Sequence, residues 1–473
     1  MMRSFLRKAQ MTTKAGCLAT GAPNQPGGLT ATGGVGTISL SWTADSTAAP
    51  NQATYYEVER SIDGLGSWSV IVTSLGTNSY TDTVASGSTR HYRVTAYNCD
   101  SGSLASATAN ATSQSSTPTA AWSLDFSSGT PSGYTLTRAS SGTYVDSSGY
   151  IASASTDVAR LTHNSSGSRL GLLVEESRTN ELKDSNDFST GNWTRGSGLV
   201  VTSAYATGPD NTTSASRVQL PNTVAIKQNA SGNNRRYSFW LKSNTGTNQQ
   251  CGFWNGTTTV VIQATTAWVR HEIQSTGSQF DFYGWGGAGT TADVLFYGAQ
   301  AENATTTTSY IATTTAAVTR SADLAHVLDS SITSWGDPGA LVIHFYPPGQ
   351  AGTLLSTDDA STAQVGIEAS STTAARAFWS SGSTSTGTIA AGVNKAVHYW
   401  NGSTSKFAIN GSTPVSGTNN LTIANTDFVT LGAEATDSSN VPGTFSQYAN
   451  CVIRKVEFYS GTLTDANLQT VTT

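Results

Sequence analysis

LGLLVEESRTNELKDSNDFSTGNWT, from Leu170 to Thr194, and LFYGAQAENATTTTSYIATTTAAVTRSAD, from Leu295 to Asp323, bracket the middle third of the chain. Between them run RRYSFWLKS, TTVVIQATT, WVRHEIQS and FDFYGWG, short stretches in which apolar and polar residues alternate. A period of two places successive side chains on opposite faces of a strand, whereas a helix needs apolar residues every three or four positions. In YSFWL, Tyr237, Phe239 and Leu241 fall on one face and Ser238 and Trp240 on the other. The region therefore reads as strands that each bury one face, and antiparallel sandwiches solve that burial.

The rest of the 473 residues has the same character. Only 12% are charged, about half the usual share, and Ser, Thr and Gly abound. Disordered chains lack aromatic and β-branched residues, but this one has 11 Trp, 17 Tyr and 14 Phe. Thr on exposed strand faces and aromatics on buried ones suit an all-β protein. The length allows about three domains. A net charge of −5 gives no strong field for nucleic acid or an anionic membrane, and no apolar run approaches the ~20 residues of a membrane span.

The first residues, MMRSFLRKAQMTTKAGCLATG, have no apolar run of the kind a secretory signal carries. They hold Arg3, Arg7, Lys8 and Lys14, with no acidic residue before Asp45. Residues 1–22 are read as a basic arm that docks on a partner subunit; a solvated tail is the plainer alternative. Cys17, Cys99, Cys251 and Cys451 are far apart and show no CxxC or Cys/His metal spacing. They are expected as free thiols in a chain that folds in a cytoplasm.

Residues 23–112 contain GLTAT, TISLSW, YYEVERS, WSVIVT, SYTDT, RHYRVTAYN and ASATAN, short runs separated by turn residues. Their number and spacing suggest a β-sandwich. In detail the segment resembles a fibronectin type III domain. Leu29 fits its first strand, Trp42 the core tryptophan after ISLSW, Tyr56 and Val58 the third strand, Tyr80 the fifth, and Tyr92, Val94 and Ala96 the sixth. The resemblance implies that Trp42 fills the core and that the Tyr92 hydroxyl bonds backbone. Residues 113–121 read as a Ser/Thr linker.

The two bracketing stretches, with LTRAS at Leu136–Ser140 and YVD at Tyr144–Asp146, resemble a jelly-roll module of bacteriophage structural proteins that is similar to carbohydrate-binding modules. The module is expected over residues 122–325. Within it, Glu175 and Arg178 belong to LLVEESRTN and are expected to be structural, an arginine pairing with a neighbouring carboxylate to hold the ends of the module. Residues 326–473 contain ALVIHFYP, NKAVHYWNGSTSKFAINGSTP with an Asn410-Gly411 turn, and DFVTLGAEA, and close with VIRKVEFYSGTLTDANLQTVTT. This unit resembles a laminin-G or concanavalin A-like sandwich. The expected fold is thus all-β, with three β-sandwich modules in series.

Chemistry is sparse. Retaining glycosidases need two carboxylates about 5–5.5 Å apart, and residues 326–473 lack a Glu/Asp pattern that would set such a pair on one strand. Asp358-Asp359 fit a polar turn; calcium is the alternative. The six histidines do not pair at metal spacing, and His344 and His398 lie in apolar strands. No nucleophile elbow, P-loop or dinucleotide fingerprint occurs. The chain is expected to be no enzyme, with no cofactor and no metal. Aromatics remain as candidate glycan contacts: Trp254, Tyr283, Trp285 and Trp379 stand beside Gly, Asn, Ser or Thr.

These readings converge on a bacteriophage virion protein, a fibre, spike or decoration subunit at the surface of head or tail, assembled in the bacterial cytoplasm. It would contact other virion proteins through the arm and the fibronectin-like domain, and would show lectin-like modules, in several copies, to host surface glycans. The rivals are a decoration protein without ligand and a secreted polysaccharide-degrading enzyme with accessory modules.

Overall fold

The computed structural model of the chain describes residues 17–114, 118–358, 365–379, 382–418, 428–435 and 445–473. The chain is all-β and forms two compact units, residues 1–118 and 119–473. Among the described residues no helix is long and apolar enough to cross a membrane.

The first unit is a sandwich of a three-stranded sheet, Thr30–Gly34, Thr37–Ser41 and Ser79–Thr83, on a four-stranded sheet, Ser69–Leu75, Tyr55–Ser61, Thr89–Tyr97 and Ala109–Thr112. This is the fibronectin type III arrangement. Period-two alternation sends Ile38, Leu40 and Trp42 inward from one sheet and Val58, Tyr92, Val94 and Ala96 from the other. The Trp42 ring meets Tyr56 edge-on at 5.4 Å. Tyr92 departs from the expected backbone bond. Its hydroxyl donates to the Asp82 carboxylate at 2.8 Å, and Arg60 Nη1 grips both oxygens of Asp82 at 3.1 and 3.0 Å. A buried carboxylate offers a stronger acceptor than a carbonyl, and here it also needs partners.

Two of the four cysteines overturn the free-thiol expectation: Cys17 and Cys99 form a disulfide, with Cα atoms 5.6 Å apart. The reason is local. The Asn98 amide donates to the carbonyls of Gly21 and Asn51, and Thr20 N–H donates to the Asn51 side chain, so the backbone before residue 22 lies against the Cys99 turn. Residues 17–22 of the expected arm are therefore tied to this sandwich; residues 1–16 lie outside the described residues. Cys251 and Cys451 are free and buried.

In the second unit the sheet order redraws the boundaries. One sheet runs Leu161–His163, Arg169–Val174, Cys451–Ser460, Gly339–Phe345, Asn394–Trp400, Thr404–Ile409 and Val415–Thr418, with Trp122–Asp125 also paired to Cys451–Ser460. The opposing sheet runs Gly382–Ser383, Ala374–Trp379, Val365–Ser371, Gly352–Asp358, Phe428–Leu431, Leu324–Leu328 and Thr135–Thr137. Strands Trp122–Asp125, Thr135–Thr137, Leu161–His163 and Arg169–Val174, expected in the jelly roll, thus complete the sandwich of residues 324–473, and Leu124, Phe126, Leu172 and Val174 share its core. The physical cause is edge pairing. The 122–125 and 169–174 strands are short, half-apolar pieces, and both pair with the long 451–460 strand.

The closing segment LTDANLQTVTT, expected merely to follow the last strand, forms a helix over Asp465–Thr472. Thr464 and Asn467 cap it reciprocally, each side chain reaching the other's backbone N–H. Leu468 and Val471 cover Val342, Val397 and Tyr399 on the outer face of the first sheet. Asp358-Asp359, the candidate calcium turn, falls outside the described side chains.

The jelly roll is the insertion between these parts. One sheet holds Val200–Ala206, Ala215–Pro221, Thr291–Glu302, Arg235–Ser243 and Val269–Ser275; the other holds Thr194–Arg195, Ala225–Asn229, Gln279–Gly284, Gln249–Trp254 and Thr259–Ala264. Aromatic rings fill the space between them, with Phe239, Phe253, Phe280, Phe282 and Phe296 all at 0 or 1% exposure. The strand alternation seen in YSFWL holds, with Tyr237, Phe239 and Leu241 inward. The outer face of the first sheet is covered. Trp240, Tyr297 and Tyr310 pack there with Ile151 of the Gly142–Val145/Ile151–Ala154 hairpin. The second sheet's outer face remains open.

Candidate functional site

The open face is built by three central strands in antiparallel register. Gly252 stands opposite Tyr283, and Ala225, Lys227 and Asn229 stand opposite Tyr283, Asp281 and Gln279. Cys251, Phe253, Phe280 and Phe282 point inward, so alternation turns Gly252, Trp254, Asp281 and Tyr283 outward. Trp285 follows two residues after Tyr283, on the same side.

Tyr283 lies across its neighbour strand. A Cβ on Gly252 would sit 2.6 Å from Tyr283 Cε2, so the ring occupies the space that a side chain would fill. Its hydroxyl reaches Thr259 Oγ1 at 2.6 Å on the next strand, where Thr259 pairs with Trp254. The ring is thus held over the Gly252 backbone and remains half-buried. Trp254 and Trp285 flank it at 42% and 39% exposure, Trp285 edge-on to Tyr283 at 6.2 Å. Val261, paired with Gly252, is also exposed. Gly284 makes the approach to Trp285 possible, because a Cβ there would lie 2.4 Å from the Leu220 carbonyl oxygen. Asn222 receives the Gly286 N–H at 3.3 Å and fixes the loop after Trp285.

Exposed aromatic patches of this kind mark recognition surfaces rather than random surface apolarity. Flat rings bind the C–H faces of sugars, and neighbouring amides and hydroxyls satisfy sugar hydroxyls. The structure thus groups Trp254, Tyr283 and Trp285 on one face. It separates Trp379 from them. Trp379 lies inward at 6% exposure with Ala375 and Ala377 on the same strand, in the core of the other sandwich, so it is no surface contact. Trp42 is likewise core.

A second constellation joins jelly roll to sandwich. Arg178–Asn180 pairs antiparallel with Val318–Arg320, bringing the two bracketing stretches together. Behind this pair Arg138, Arg160 and Arg320 are buried with Glu175 and Asp323. Arg160 binds Glu175 at 2.6 Å and also Asp323; Arg138 binds Asp323 at 2.9 Å; Arg320 binds Glu175 at 2.9 Å. Ser309 N–H and Oγ each donate to Glu175 at 2.7 Å. Burial alone would raise the Glu175 carboxyl, but Arg320 and Arg160 outweigh it and hold it at about 2. Arg178 pairs with a neighbouring carboxylate as expected, and that carboxylate is Glu176 rather than Glu175. Asn450 also holds Glu176 at 2.8 Å. Arginine holds each of these carboxylates, and the cluster clasps the jelly roll to the sandwich. Sequence reasoning missed Arg138, Arg160, Arg320 and Asp323. The signal was there: LTRAS and VTRSAD place lone charges among small residues in a chain that has few charges.

His398 is buried and bonds Ser405 at 3.1 Å; burial lowers it to about 3, so it stays neutral. His344 pairs with Glu457 at 3.0 Å. No group of three or more His, Cys, Asp or Glu among the described residues is arranged to hold a metal ion.

Neither a protein-family model nor a curated protein matches the sequence. Among solved structures the chain is similar to an Fn3-like protein from Clostridium thermocellum, 34% identical over 19% of this chain and 92% of that one, with a TM-score of 0.17. It is similar to FN3tt, 19% identical over 20% of this chain and 100% of that one, TM-score 0.18. It is also similar to domain 4 of AbnA, a GH43 extracellular arabinanase from Geobacillus stearothermophilus, in complex with arabinotriose. That likeness is 16% identity over 32% of this chain and 73% of that one, TM-score 0.23.

Proposed function

We propose that this chain is a non-catalytic glycan-binding display protein of a bacteriophage particle. Residues 1–16 and the fibronectin-like sandwich attach it to other virion proteins, and the inserted jelly roll binds host surface polysaccharide. The observation that carries the reading is the Tyr283 ring laid over Gly252 between the exposed Trp254 and Trp285. That arrangement leaves large rings in water, a standing cost that ligand binding removes. The phage assignment is supported by the wording of the bracketing stretches and of LTRAS and YVD. The Cys17–Cys99 bridge fits a protein that works outside a reducing cytoplasm, which corrects the expectation of a wholly thiol chain. Weak single-site affinity would be multiplied by copy number on the particle.

The test is host-cell adsorption by the purified chain and by its Trp285→Ala and Trp254→Ala variants. The expected result is loss of adsorption with the melting temperature unchanged. Full adsorption by the doubly substituted chain overturns the reading.

A further inference from the structure

Along the strand Gln279–Gly284 the open face changes character. Tyr283 and Trp285 mark its aromatic end. At the other end, Gln279 and Asn229 face one another, and a depression of about 250 Å³ opens beside Lys183, Lys227, Asn192 and Thr194. Four residues of strand, roughly 13 Å at ~3.3 Å each, separate Gln279 from Tyr283. No aromatic or aliphatic side chain lines the depression; every lining residue carries a hydrogen-bonding side chain.

The lining carries two lysines and no acidic residue. Lys227 Nζ lies 2.7 Å from Asp281 and its side chain stays 38% exposed. Lys183 is exposed and makes no ion pair among the described residues. The nearby carboxylates are engaged: Asp281 by Lys227, and Asp184 by Thr190 and Asn192 at 2.7 and 2.6 Å. Asn229 Oδ1 accepts from Gln279 at 2.8 Å, which orients both amides at the rim. A chain with only 25 Lys and Arg among 473 residues thus places two ammonium groups, one of them paired with Asp281, at one polar depression on the strand that also carries Tyr283.

We infer that the ligand of this face is an acidic polysaccharide. One sugar stacks on Tyr283, flanked by Trp254 and Trp285, and a carboxylate further along the same chain sits between Lys183 and Lys227. The inference rests on the glycan-binding reading above and adds the ligand's charge to it. A carboxylate between two ammonium groups forms charge-assisted hydrogen bonds, and a neutral glycan leaves Lys183 without a counter-ion. The requirement for two spaced contacts selects an extended chain over a free monosaccharide.

Binding of the full chain to polygalacturonate, alginate and hyaluronate is compared with binding to the carboxyl-reduced form of each polymer. The expected result is that at least one native polymer binds about tenfold or more tightly than its reduced form, with the difference shrinking at high salt. Lys183→Gln, which breaks no ion pair among the described residues, should cut that preference with the binding of the reduced polymer and the melting temperature unchanged; adding Lys227→Gln, which also breaks the pair with Asp281, should erase it at some cost in melting temperature. Trp285→Ala should weaken both forms alike. Equal binding of native and reduced polymers overturns the acidic-ligand inference and leaves the aromatic platform standing. A preference that survives both lysine substitutions overturns the assignment to this depression. Binding of neither form overturns the inference and the glycan reading together.

Discussion

Gly252 shows how one residue type sets a surface. Any side chain there would meet the Tyr283 ring at 2.6 Å, so Gly252→Ala must lift the ring and break its bond to Thr259. The expected outcome is a loss of about 1–3 kcal/mol in denaturant unfolding, with glycan binding falling as far as it does in Trp285→Ala. Trp42→Ala should cost about 3–5 kcal/mol, because a fully buried ring leaves a cavity; a midpoint unchanged in urea would contradict the core placement. Trp285→Ala, at the surface, should stay within about 0.5 kcal/mol of wild type. The neighbourhood in sequence was a fair guide for Trp254 and Trp285, which end strands or open loops. It failed for Trp379, because strand parity outranked the Gly and Ser that follow it. Ala375 and Ala377 point inward, and residue 379 shares their phase.

Among elements, the segment 17–22 matters most for the first sandwich. It forms no strand, yet a disulfide closing a separation of 82 residues fastens it to the turn at Asn98. Closing a loop of that size restricts the unfolded chain, so Cys99→Ser should lower the stability of this sandwich by about 2–4 kcal/mol. The same shift should appear when the wild type is unfolded in dithiothreitol, and no shift in either experiment would rule out the bridge. Spacing alone could not pair these cysteines, since four allow three connectivities and none is favoured. The strands of 122–174 were unreadable for a related reason. Each is six residues or fewer, and Trp122–Asp125 and Arg169–Val174 join their sheet through Cys451–Ser460, roughly 280 to 340 residues away, while Thr135–Thr137 joins the other through Leu324–Leu328.

For the second unit as a whole, the clasp of Arg138, Arg160, Arg320, Glu175 and Asp323 joins the inserted jelly roll to its host sandwich. Removing one partner strands buried charge, so Glu175→Gln should destabilise this unit by about 3–5 kcal/mol. The pH dependence has a definite sign. Glu175 holds its charge down to about pH 2 in the folded chain, whereas an unfolded glutamate protonates near 4.3. Its contribution is therefore complete above about pH 5 and is lost as the pH falls from there towards 2. Thermal unfolding measured across that range should lose stability steeply in the wild type and less steeply in Glu175→Gln; equal slopes would remove Glu175 from the clasp.

The sequence by itself determined the all-β fold and the fibronectin-like sandwich with Trp42 at its core. Each of these follows from local alternation and turn chemistry, which act over a few residues. Only the tertiary structure decided which strands share a sheet, that the jelly roll is inserted into its neighbour rather than strung before it, that Cys17 meets Cys99, and that Glu175 answers to Arg160 and Arg320. Those outcomes depend on contacts between residues 15 to 336 positions apart. Several short strands of equal apolarity compete for the same edges there, and burial of the whole core selects among them.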